Sequence, residues 1–268
     1  ALRRLGRGMA ARTGIVVTYG YDVKAMTGIV LALFIIITAL RVANIIKERP
    51  RVNRIRIEPR KAGYSRTDAV NFVKRLEELG YFKYAAPSDV EPLKRDLIDY
   101  YSPDGDLPSI NDEETDTPKD YRCYLCDGEE VYEEDGIIKL LKELQPTFDK
   151  LGFQCEITDH FEEWDCENDW LNHRITINGT EYVLFKNFTG IGWGEALARI
   201  AKILNRELEK QGKDERIYLA MGGNDTARIF LTEELYRYIY SIYKNPYYKP
   251  LEPCEWEKVM GAKPMHYD

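Results

Sequence analysis

The sequence predicts an α+β protein, a mostly antiparallel sheet with helices packed on one face, preceded by an apolar N-terminal helix. Three observations carry this reading. Short runs that alternate apolar and polar residues are separated by Asn-Gly and Gly-Gly turns, as in hairpins. Longer stretches repeat apolar residues at helical spacing. Residues 25–40, AMTGIVLALFIIITAL, carry no charge.

The apolar stretch comes first. Sixteen residues of helix span about 24 Å, against roughly 30 Å for a hydrocarbon core. Snorkelling of Arg41, with Val42, Ala43, Ile45 and Ile46 beyond it, extends the segment to 47. It is apolar on every side, which excludes a surface amphipathic helix and leaves a membrane span or a fully buried one. A single transmembrane helix over 25–47 is the expectation. Eight Lys or Arg between Arg41 and Lys61, against five before the segment, place the C-terminal part in the cytoplasm, at the cell membrane. Translation from Met26 would omit the N-terminal segment 1–24 and strengthen that bias. The triplets Asn178-Gly179-Thr180 and Asn187-Phe188-Thr189 then read as coincidence rather than glycosylation sites.

Beyond it, residues 48–101 form a small basic α/β region. Val52 to Glu58 reads as a short strand. Ser65 is a helix N-cap with Asp68 at N3, and Val70, Val73, Leu76 and Leu79 repeat at helical spacing up to Gly80. A second helix covers Val90 to Tyr100. Residues 102–120, with three prolines and many acids, read as an acidic linker and domain boundary.

Residues 121–268 are the better patterned α+β domain. Tyr121 to Cys126 reads as a strand. Ile137, Leu141, Leu144, Phe148 and Leu151 make one helical face, interrupted near Pro146. Phe153, Cys155 and Ile157 alternate as a half-buried strand. Strands over 174–177 and 180–185 flank Asn178-Gly179, a strong hairpin signal. A helix through Leu197, Ile200, Leu204 and Leu208 ends near Gly212. Strands over 216–221 and 227–231 surround Gly222-Gly223-Asn224-Asp225, and Thr232 caps a last helix that stops before Pro246.

Bulk properties narrow the function. A net charge of −7 argues against a general nucleic-acid binder, and no nucleic-acid partner is expected. Five irregularly spaced cysteines fit reduced thiols better than a disulfide framework. Cys123-x-x-Cys126 invites a zinc reading, but on a strand the two thiols face opposite sides. No metal site and no cofactor are assigned. Only His160, His173 and His266 are available, and no nucleophile stands with a base in a recognisable motif, so no catalytic residue is assigned. His173 shares strand parity with Ile175 and Ile177 and reads as a satisfied, partly buried histidine.

The segment 159–170, DHFEEWDCENDW, is the most unusual. Read as a loop, it places two tryptophans among acids, the composition of a protein-binding hot spot. The candidate binding residues are therefore Trp164, Asp165, Glu167 and Trp170. Trp193, in a glycine-rich turn before a helix, and Asn224 and Asp225, in the later turn, complete the set. The function expected is a membrane-tethered, non-catalytic protein-interaction module. The alternative is a metal-dependent enzyme using the acids of 159–169.

Overall fold

A computed structural model of the chain describes residues 64–165, 167 and 170–264, the side chain of Asn224 excepted. The apolar stretch 25–47, the strand expected at 52–58 and Cys166 lie outside the described residues. Among the described residues, no helix is long and apolar enough to cross a membrane.

Ser65 caps helix α1 (Arg66–Glu78) through a capping box with Asp68, whose carboxylate accepts from the Ser65 N–H. A single 3₁₀ turn (Tyr81–Tyr84) and helix α2 (Val90–Asp99) follow. After strand β1 (Cys123–Cys126) come three short helices: α3 (Gly128–Tyr132), α4 (Gly136–Glu143) and α5 (Gln145–Leu151). The break between α4 and α5 falls at Leu144, where Pro146 removes an amide donor from the next turn.

Strands β2 (Ile157–Asp165), β3 (Trp170–Ile177) and β4 (Thr180–Thr189) form an antiparallel sheet in the order β2-β3-β4. Asn178 and Gly179 join β3 to β4 with φ of 50° and 75°, the left-handed pair that a tight hairpin requires. Helix α6 (Trp193–Lys210) leads to β5 (Arg216–Ala220) and β6 (Thr226–Leu231), then α7 (Glu233–Ile242) and α8 (Pro253–Met260). β1, β6 and β5 make the second antiparallel sheet, with β6 in the middle.

The protein is thus α+β, with two three-stranded antiparallel sheets. One-sided packing describes only β2-β3-β4, whose outer face leaves Phe161 and Val183 exposed. The other sheet is covered on both faces. Cys123, Tyr218, Ala227 and Ile229 pack with α1, α2 and α7. Tyr124, Ile217, Leu219 and Phe230 pack with α4, α5 and α6 on the opposite side. α1 and α2 share this core with α7.

The strand expected over 153–158 begins only at Ile157. Side chains replace its ladder before that point. Asn178 Oδ1 accepts from the Glu156 N–H at 2.9 Å, and Asn178 Nδ2 donates to the Gln154 carbonyl at 2.8 Å. The strand instead runs on through 165, across a segment read from the sequence as a loop.

Candidate functional site

The β2–β3 hairpin carries Trp164, Asp165 and Trp170 of the residues singled out by the sequence, together with His160, Glu162 and His173. Pairing sets Glu162 opposite His173, Trp164 opposite Leu171 and Asp165 opposite Trp170. Alternation then sends His160, Glu162 and Trp164 to one face and Asp159, Phe161 and Glu163 to the other. The acids of 159–169 therefore do not converge as a set, because Asp159 and Glu163 are exposed on the outer face.

At the open end of the hairpin, Tyr132, Trp164, Asp165, Trp170, Leu171 and Phe188 line a concavity of about 90 Å³. Tyr132 stands nearly perpendicular to two of its neighbours. Tyr132 and Trp164 are 5.2 Å apart at 76°, and Tyr132 and Phe188 are 6.3 Å apart at 73°. Tyr132, at the end of α3, donates its hydroxyl to the Gly190 carbonyl at 3.1 Å. Gly192 allows this approach: a Cβ there would stand 2.5 Å from Tyr132 Cε2 and 2.9 Å from Phe188 Cε1. The glycine-rich turn is thus a backbone platform for two of the slot's rings. Asp165 accepts from the Glu167 N–H at 2.9 Å, which fixes the carboxylate at the rim.

Trp164, Asp165 and Trp170 are brought together here. Glu167 is exposed beside them. Trp193 opens α6 and packs beside Gly128, where an added Cβ would meet the Trp193 Cβ at 3.4 Å. Asn224 and Asp225 sit in the 3₁₀ turn before β6. Neither Trp193 nor that turn lines the slot.

One strand step further in lie His160, Glu162 and His173, whose donor atoms all fall within 4.8 Å of one another. His160 Nε2 and His173 Nε2 are 3.0 Å apart. His173 Nδ1 is 3.2 Å from Glu162 Oε1, and His160 Nδ1 is 3.8 Å from Asp135 Oδ1. The pairing of β3 with β4 shifts register on both sides of His173, a bulge that re-aims a side chain. Asn172 fills the gap in the ladder by accepting from the Asn187 N–H at 2.7 Å. Burial, helped by the neighbouring His160, pushes His173 down to about 3, so its ring is neutral. Burial likewise raises the Glu162 carboxyl, opposed by the Asp135 N–H that donates to it at 2.8 Å. Sequence reasoning set His173 aside as structural, because the bulge and the residue opposite it are features of pairing and not of local pattern.

The cysteines form no comparable group among the described residues. Cys123 is buried on the α1–α2–α7 side of its sheet, and Cys126 packs against the opposite core. A larger groove of about 670 Å³ lies between α6, β5 and α8. Much of its polar lining is committed. Lys202 pairs with Glu257 at 2.5 Å, Arg216 donates to the Lys213 and Glu215 carbonyls, and Asn205 exchanges hydrogen bonds with the Ile217 backbone.

No protein-family description, curated protein or solved structure matches this chain.

Proposed function

We propose that this domain is a non-catalytic binding module that takes the methylated ammonium group of a partner protein's side chain into the slot between Tyr132, Trp164, Trp170 and Phe188. The observation that carries the reading is the slot itself: four aromatic side chains and Asp165 line one small space, with Tyr132 set steeply against both Trp164 and Phe188.

Size supports it. Sites for drug-sized ligands run to about 300–1,000 Å³, so 90 Å³ suits one compact group. Charge supports it as well, since ring faces and a carboxylate both attract a cation, and the chain carries a net charge of −7. Methylation suits the walls. A bare ammonium would forfeit hydrogen bonds to water against rings that accept few, whereas methyl groups need none. On the reading of 25–47 as a membrane helix, the module is tethered at the inner face of the cell membrane.

The test uses tryptophan fluorescence of the full-length chain titrated with choline and with 3,3-dimethyl-1-butanol, its neutral isostere. Choline should give saturable quenching and the alcohol none. Trp164→Ala should weaken choline binding about two- to fivefold, since Trp164 is 39% exposed and a cation–π contact at an exposed site is worth about 0.5–1 kcal/mol. Equal binding of the neutral isostere would refute the reading, as would quenching that does not saturate.

A further inference from the structure

We infer that His160, His173 and Glu162 form a binding site for a borderline divalent cation of the Zn²⁺ or Co²⁺ kind, independent of the aromatic slot. The geometry of the two rings makes the case. Each imidazole turns Nδ1 toward a carboxylate, His173 to Glu162 at 3.2 Å and His160 to Asp135 at 3.8 Å. A carboxylate on that side of the ring is where metal-binding histidines find their outer partner, although the Asp135 contact is too long for a hydrogen bond. The two Nε2 atoms face each other across 3.0 Å, a gap that one ring's N–H bridges in the empty site and that a cation bound to both would take over.

A divalent ion fits that gap. Metal–nitrogen bonds of about 2.0–2.1 Å at a tetrahedral angle place two ligand nitrogens about 3.3–3.4 Å apart. The rings need open by only a few tenths of an ångström. Glu162 Oε2 lies 3.8 Å from His160 Nε2, close enough to complete a three-ligand set. The charge balance agrees. The Glu162 side chain is 7% exposed, and among the described residues no Lys or Arg pairs with it. A buried carboxylate without a permanent cation is costly, and a bound divalent ion removes the deficit. The β3 bulge at His173 and the left-handed Asp135, at φ 60°, are the backbone features that aim these groups at one point.

His160 remains partly exposed while His173 is buried, so the fourth position opens toward solvent. Three protein ligands with one open position distinguish an exchangeable site from a closed structural one. Water or a small anionic group would complete it.

The test titrates the full-length chain, stripped with a chelator, with Co²⁺ and Zn²⁺. One equivalent of Co²⁺ should produce a visible d–d band, and Zn²⁺ should displace it. His160→Ala, at a partly exposed position, should fold by circular dichroism and lose the band. Glu162→Gln, which removes the carboxylate ligand, should weaken binding by at least the about 10- to 100-fold that loss of an outer carboxylate costs. A band that does not saturate near one equivalent would overturn the inference, as would unchanged binding in a folded His160→Ala protein.

Discussion

Gly192 bears on the slot more than any other residue outside its lining. Its missing side chain is filled by Tyr132 and Phe188, both closer than a Cβ tolerates. Gly192→Ala must therefore displace Tyr132 or the turn. We expect a loss of about 1–3 kcal/mol, the usual range for an overpacked site, read as a shift of the urea midpoint. The same variant should lose choline-dependent quenching, because Tyr132 no longer faces Trp164. Unchanged stability would mean that the turn yields freely. At this scale the sequence was informative about Trp164, Asp165 and Trp170, since acids beside tryptophans are unusual in any context. It was silent about Tyr132 and Phe188, which look like ordinary core aromatics until the fold sets them at one opening.

Among elements, α6 is anchored to the β3–β4 hairpin through Glu207. That carboxylate accepts from Tyr182, from Lys210 at 2.6 Å and from Asn178 at 2.9 Å. Burial pushes its pKa up, but these three donors outweigh burial and the net shift is below the ordinary 4.5. A carboxyl with a lowered folded-state pKa contributes stability that is complete above its unfolded value and is lost as pH falls through the folded one. Glu207→Gln should accordingly cost about 1.5–3 kcal/mol near neutral pH. The deficit should shrink below about pH 4.5, where the wild type loses the same charge. Urea midpoints at two pH values decide it, and a deficit independent of pH would exclude the charge as the cause. Asn178 shows how much of an element is local. Its turn conformation was legible from the Asn-Gly pair, but its side chain also holds Gln154 and Glu156 in place of a strand ladder.

For the whole molecule, the sheet β1-β6-β5 separates two apolar cores and belongs to both. Phe72, on α1, lies in one, and Trp256, on α8, lies in the other. If the sheet couples them, Phe72→Ala should lower stability by about 3–5 kcal/mol, as for other large-to-small core changes. Tryptophan fluorescence, to which Trp256 contributes, and circular dichroism should then move to the same lower midpoint. Separate transitions would show two independent cores. Pairing on this scale explains why β6 buries all six residues, Arg228 and Thr226 among them, although neither looks like a core residue.

What the sequence determined by itself was whatever depends on near neighbours in the chain. The Ser65 capping box, the Asn178-Gly179 turn, the break before Pro146 and the helical spacing through α6 all follow from contacts a few residues apart. Only the tertiary structure decided that 157–165 is a strand, that two sheets form rather than one, and that His160, Glu162 and His173 converge. Each of these is set by cross-strand register and burial between distant segments. A polar run such as DHFEEWD carries no local signal of which face a partner will cover.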